Sequence, residues 1–323
     1  MKIKKEIGRL LNKSAYFRAI NYRRKIEKQH KNNTKKYISN KRKPIYYIIG
    51  FDDPQSCGWT VWERVVLYGA IYAEDHGMIA VVDMKNHRSI YQKEEEFGKV
   101  NIWDKYYLQP NGVTLEEALD SGNYVIADTS AEWFTYIRMR TPKRFNNEFL
   151  RKKYNQFIRL QPNVVEACEN TLRNLVPNYN NDTRILSIKV RGTDYIKYQH
   201  SVQPNISEIV KIAKEKFEQC SCDYYYISTE DTQIFDALRN ELPKERIISF
   251  NSGNVSNIDG FVGEHITKIC GEEKASMDYI TTLYILNKSC CLIGGVCGAT
   301  IVAQYRRNPP YEYLNIIDLN EHY

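Results

Sequence analysis

Arg191 and Asp194 stand three residues apart, directly after the apolar run Ile185 to Val190. A guanidinium at the end of a buried strand can grip a diphosphate through a two-pronged, charge-assisted bond. Two further groups follow apolar runs in the same way. Thr229-Glu230-Asp231 comes after Tyr224 to Ser228, and Gly294-Gly295-Val296-Cys297-Gly298 comes after Cys290 to Ile293. Carboxylates suit the ribose or base of a nucleotide, and an open glycine turn at a helix start offers backbone N–H groups to its phosphates. Each group alone has a plain structural use: Arg191 as the partner of Asp194, Asp231 as a helix cap, Gly294-Gly295 for tight packing. Three of them at successive strand ends point to a site for a nucleoside diphosphate.

The elements that must hold these groups alternate regularly. Strands are expected at Ile185 to Val190, Tyr224 to Ser228, Arg246 to Ser249, Cys290 to Ile293 and Leu314 to Ile317. Between them fall helices at Asn205 to Gln219, Ile234 to Leu242, Met277 to Leu286 and Ala299 to Tyr305. This order implies a parallel, doubly wound sheet with ligands outside the carboxyl ends of its strands.

An earlier stretch repeats the pattern. Ile45 to Ile49 and Met78 to Val82 read as strands flanking a helix whose face carries Trp62, Val65, Val66, Gly69, Ala70 and Ala73. That is one βαβ unit. Its Gly50-Phe51-Asp52-Asp53 loop lacks the spacing of the nucleotide-binding glycine motifs, so it is expected on the acceptor side. The run Asn101 to Tyr107 forms either an aromatic wall for a sugar or an anchor beneath a loop. A helix at Leu115 to Leu119 and a strand at Tyr124 to Ala127 come next. Phe145 to Arg173 reads as two helices broken at Pro162.

The net charge of +7 is unevenly placed. Residues 1–43 hold 16 of the 46 Lys and Arg but two of the 39 acids, leaving 30 bases against 37 acids in the rest. The body of the chain is therefore acidic, which argues against nucleic acid as a partner. In the basic segment Ile3, Ile7, Leu10, Leu11 and Phe17 recur near helical spacing among lysines and arginines. Such a helix lies on an anionic membrane surface, packs on the body, or stays an arm. Lys28 to Lys43 reads as a polar linker ending at Pro44. The eight cysteines are read as reduced, and Cys220-Ser-Cys222 lacks the spacing of a metal pair. No window reaches the roughly 20 apolar residues of a membrane span, and no signal peptide is visible, so the expected location is the cytoplasm or the inner face of its membrane.

Lys189-Val190-Arg191-Gly192-Thr193-Asp194 resembles the His-x-Arg-Arg-x-Asp signature of the α1,2/α1,6/protein-O-fucosyltransferase superfamily. Tyr226 to Asp231 is similar to its second motif, and Asp278 with the turn through Gly298 to its third. The first half also resembles bacterial surface-polysaccharide glycosyltransferases through the Gly50 loop, Val81-Val82-Asp83 and Asn101 to Tyr107. Together these likenesses cover about residues 45–318. They imply a GT-B fold: two Rossmann-like domains, 44–175 and 176–323, facing across a cleft behind a basic N-terminal segment, 1–43. They also imply metal-independent, inverting transfer from GDP-fucose to a glycan or a lipid-linked oligosaccharide. Carried over by position, Arg191 holds the β-phosphate, Asp231 and Asp278 meet the ribose or guanine, and Gly295, Val296, Cys297 and Gly298 meet the phosphates, with Thr229 a further candidate for the donor site. Lys189 replaces the signature's histidine and Gly192 its second arginine. Gln199 stands where the α1,6 branch keeps a catalytic glutamate, and an amide cannot take a proton. His200, Asp52 and Asp53 are the candidate bases in its place.

Overall fold

A computed structural model of the chain describes residues 15–52, 58–140, 147–192, 195, 202–250 and 262–319. Helix α1 (Ala15–Asn33) leads into β1 (Lys35–Ile38), β2 (Tyr46–Ile49), α2 (Trp59–Asp75) and β3 (Ile79–Val82). A short helix α3 (Ile102–Tyr106) runs into β4 (Tyr107–Leu108), followed by α4 (Leu115–Asp120) and β5 (Asn123–Ile126). Helices α5 (Ala131–Arg140) and α6 (Asn147–Phe157), strand β6 (Arg159–Leu160) and helix α7 (Pro162–Leu175) lead to the second run. There β7 (Ile185–Lys189), α8 (Ile206–Gln219), β8 (Tyr224–Ser228), α9 (Thr232–Glu241) and β9 (Ile247–Ser249) alternate. Helices α10 (Val262–Cys270) and α11 (Glu272–Lys288), strand β10 (Cys291–Gly295), helix α12 (Gly298–Arg306) and strand β11 (Tyr313–Ile317) complete it.

These elements build two main sheets, besides a two-stranded antiparallel pair of β4 with β6. The first has the order β1-β5-β2-β3, with β2 parallel to both β3 and β5 and β1 antiparallel at the edge. The second, β11-β10-β7-β8-β9, is parallel throughout. Runs such as Ile185 to Lys189 and Cys291 to Gly295 are buried at every position, as helices on both faces require. The α/β architecture and the strand alternation expected from the sequence are thus present.

Helix α2 lies at the centre and is covered on several sides. Trp59, Trp62, Val66, Leu67 and Ala73 have no exposure. Its apolar core continues from β2 and β3 into α6, α7, α11 and α12. Within that core Glu63 is also fully buried. A carboxylate so placed must be matched by donors, and Glu63 Oε1 accepts from Tyr107 Oη at 2.8 Å and from Arg306 Nη1 at 2.9 Å. One acid thereby ties α2 of the first run to α12 of the second.

One expectation is corrected, and one open alternative is decided. Lys28 to Lys43 is not a linker: α1 extends through Asn33 and Lys35 to Ile38 pairs with β5. Ile26 and His30 are buried against α5, where the His30 ring stacks on Trp133 at 3.3 Å. All four β1 residues are exposed, so the strand is held by its backbone ladder and carries no alternating pattern to read. Lysines suit such an edge, because they discourage pairing with other chains. The aromatic run at Asn101 to Tyr107 is an anchor and not an open wall. Trp103 and Tyr107 are buried and stack on each other at 4.4 Å, with Trp59 beside Tyr107 at 5.0 Å. The segment before Ala15, with most of the expected amphipathic pattern, lies outside the described residues.

Arg306→Leu leaves Glu63 buried without its cation. The expected loss is about 3–5 kcal/mol, measured by urea denaturation. A loss below about 1 kcal/mol would show that the pair is dispensable.

Candidate functional site

Strand β7 ends at Lys189, and the chain then passes Val190 into Arg191 and Gly192. Its neighbours in the sheet are β10 and β8, so the segments leaving all three strands lie side by side. The middle one carries the cations. Lys189 is buried, and the Arg191 side chain is 16% exposed.

Glu230, directly after β8, organises this edge. Its Oε1 forms an ion pair with Arg191 Nε at 2.9 Å and accepts from the Gly192 amide at 3.0 Å. Its Oε2 lies 3.6 Å from Lys189 Nζ. Two cations therefore share one buried carboxylate. Burial is the strongest influence on Glu230 and raises its pKa, but Arg191, Lys189 and the Gly192 amide together outweigh it, leaving the acid below its ordinary value. The Arg191 guanidinium also lies over the Tyr195 ring, 4.7 Å from its centroid.

Gln203 joins the middle edge to the glycine turn. Its Oε1 accepts from the Arg191 amide at 3.2 Å, while its Nε2 donates to the Val296 carbonyl at 3.2 Å. Gly295 lies against it so closely that a Cβ there would come within 2.2 Å of Gln203 Oε1. The turn then starts α12, with the Cys297 amide donating to Thr300 Oγ1 at 3.0 Å. First-turn amides of a helix have no intrahelical partner, so this end is suited to an anion. Gly298 faces the first run, where a Cβ would lie 2.5 Å from Thr60 Oγ1.

The structure brings together Arg191, Asp231, Gly295 and Val296. Asp231 caps α9, accepting from the Gln233 and Ile234 amides at 2.9 and 3.2 Å, and its Oδ2 packs against Gly192. Thr229 Oγ1 accepts from the Asp231 amide at 3.2 Å. Asp278 sits on α11, where its Oδ2 accepts from Lys274 Nζ at 2.9 Å. It reaches the β8 end electrostatically: burial first, and Asp278 with it, push the Tyr226 hydroxyl up to about 12 against hydrogen bonds with Thr282 and Ser228. Asp194, His200 and Asp53 lie outside the described residues. Glu230 and Gln203 were not singled out from the sequence. Glu230 sits between two chosen residues and was hidden by them, whereas nothing in the sequence marks Gln203.

Among the described residues, Cys222, Cys290 and Cys291 group their sulfur atoms within 4.8 Å of one another, all buried. They lie at the amino ends of β8 and β10, away from the Arg191 edge, and Cys222 Sγ is 3.6 Å from Cys290 Sγ. No helix among the described residues is long and apolar enough to cross a membrane.

No family model matches the chain, and no curated protein matches it. Solved structures do. Fucosyltransferase NodZ from Bradyrhizobium is similar at 12% identity, over 87% of this chain and 97% of that one, with a TM-score of 0.52. NodZ α-1,6-fucosyltransferase soaked with GDP-fucose is similar at 10% identity, over 82% and 93%, with a TM-score of 0.49. A mutant of FUT1 from Arabidopsis thaliana in complex with GDP is similar at 10% identity, over 91% and 78%, with a TM-score of 0.46. The first of these shows that the chain shares the α/β fold of that structure, consistent with the GT-B-like reading.

Glu230→Gln leaves Lys189 and Arg191 without their carboxylate and is expected to cost about 3–5 kcal/mol at neutral pH. The acid's lowered pKa makes its contribution full above the ordinary carboxylate range, and lost as the pH falls through the lowered value. Melting curves from pH 7 to 3 should therefore be flatter for the variant than for the parent. Parallel curves would refute that role.

Proposed function

We propose that the chain is an inverting glycosyltransferase that moves fucose from GDP-fucose to a hydroxyl of a glycan acceptor. The observation that carries this reading is the linkage of Arg191, Gly192 and the Val296 turn through Glu230 and Gln203, on a fold shared with NodZ. In this reading the two main sheets belong to the two domains of a GT-B enzyme, the first reaching back to include β1 and the second spanning 176–323. The second holds the donor.

Negative charge grows on the departing diphosphate as the glycosidic bond breaks. A fixed Arg191, with the amides that start α12, stabilises that charge more in the transition state than in the ground state. The arginine and the helix end take the place of a divalent cation, so no metal is required. Thr229, Asp231 and Asp278 line the nucleoside end.

The acceptor is assigned to a bacterial surface polysaccharide, built from a glycan or a lipid-linked oligosaccharide at the inner face of the membrane. Its support is the basic stretch Lys2, Lys4, Lys5, Arg9 and Lys13 interleaved with Ile3, Ile7, Leu10 and Leu11.

GDP is expected to raise the melting temperature and UDP to leave it unchanged, with about 2.7 kcal/mol of stabilisation at a hundredfold excess over Kd. Arg191→Ala should lower GDP release from GDP-fucose by about 10²–10³. A response to UDP alone would move the assignment to another nucleotide sugar. A variant with parental turnover would remove Arg191 from the site. Deleting residues 1–14 should lower binding to phosphatidylserine vesicles without lowering the melting temperature, and unchanged binding would end the membrane assignment.

A further inference from the structure

Transfer to a hydroxyl needs a group that accepts its proton, and the position expected for that group holds Gln199. The first sheet presents an arrangement suited to the task. His87 Nδ1 lies 2.6 Å from Asp52 Oδ1, and Asp52 Oδ2 accepts from the Thr129 hydroxyl at 2.6 Å. The Asp52 amide in turn donates to the Thr129 carbonyl at 2.9 Å. These three residues follow β3, β2 and β5, the parallel strands of that sheet, at their carboxyl ends. Ligands of open α/β sheets bind at that edge.

We propose that His87 is the general base of the transfer and that Asp52 positions it. This inference rests on the glycosyltransferase reading. An ionised carboxylate can only accept hydrogen bonds, so Asp52 places the imidazole proton on Nδ1 and leaves the lone pair on Nε2. Asp52 is kept ionised. Burial is the largest influence and raises its pKa, but the bonds from Thr129 and His87 outweigh it and hold it below its usual value. The His87 side chain is 13% exposed, and its Nε2 has no hydrogen-bond partner among the described residues.

The ring is fixed by packing as well. A Cβ on Gly50 would lie 2.1 Å from His87 Nε2, so the imidazole rests on the strand-end backbone where a side chain would stand. The loop carrying His87 also reaches the second run. Ile90 Cδ1 would be 2.7 Å from a Cβ on Gly263 of α10, and Tyr91 stacks on Trp59, whose Nε1 donates to Ser276 Oγ at 2.8 Å. The loop carrying His87 is thereby tied to α10 directly and to α11 through Trp59.

In the step, the acceptor O–H proton passes to Nε2 as its oxygen bonds to the sugar's anomeric carbon. The bond from that carbon to the diphosphate oxygen breaks, and its electron pair leaves with GDP. Imidazolium forms beside Asp52, which stabilises it, and the proton is then lost to water. With water as acceptor the same step is hydrolysis.

GDP-fucose hydrolysis, followed as GDP release, tests the assignment alongside calorimetric titration with GDP. His87→Ala should lower kcat at least tenfold while the Kd for GDP stays within twofold, and added imidazole should restore part of the rate. Asp52→Asn should lower kcat with little change in KM. Gly50→Ala, which displaces the ring while keeping it, should lower kcat in the same way. Parental kcat in His87→Ala overturns the assignment, as does loss of GDP binding together with turnover and no imidazole rescue. A parent chain that neither binds GDP nor releases it from GDP-fucose removes the donor reading itself, and the base with it.

Discussion

A carboxylate with no access to water sits at the middle of this molecule, and the arrangement around it follows from the need to match its charge. Glu63 on α2 meets an arginine from α12 and a tyrosine from the start of β4. Three chain segments must therefore arrive together before α2 can be buried, since an unmatched ion in an apolar core costs several kcal/mol. The same helix begins at Trp59 and Thr60, which touch Ser276 and Gly298 of the second run. Registering α2 against α12 thus also registers the strand ends of one sheet against those of the other.

The same rule recurs at the strand ends, with different consequences. Glu230 is buried with Lys189 and Arg191, and Asp52 is held by His87 and Thr129. Inside the core a matched pair only closes. At a strand end it orients a group that still reaches water: the Arg191 side chain in one sheet and the His87 ring in the other. The carboxylate that aims Arg191 is buried, whereas Asp52 is itself 62% exposed and holds a ring that is 13% exposed.

Much of this could be read from the residues. The strand Tyr224 to Ser228, the cap at Asp231 and the break at Pro162 are as the sequence indicates, because apolar runs, helix caps and proline act locally. The joining of three strand ends was legible because parallel topology places them at one edge. Less legible were features that depend on a distant partner. Lys35 to Ile38 becomes a strand through the backbone of β5, with no apolar signal of its own. His87 gains its partner from Asp52, 35 positions earlier, and nothing near either residue announces the other. Glu230 reads as one acid among neighbours until the fold buries it under two cations. Helix α10 was missed as well, although Val262, Ile266 and Cys270 recur at helical spacing, the last two packing on the core.

Strand β1 bears on how the molecule can be divided. From composition the basic segment reads as an appendage, separable at Pro44. Yet α1 packs through Ile26 and His30 onto α5, and β1 occupies the edge of the first sheet. The chain therefore has no natural joint after Lys43. A continuous hydrogen-bonded ladder runs from β1 through β5 to β2, and the last two strands lead to Thr129 and Asp52. Cutting the chain at Pro44 would strip the first sheet of its edge strand and leave the backbone of β5 unpaired on that side.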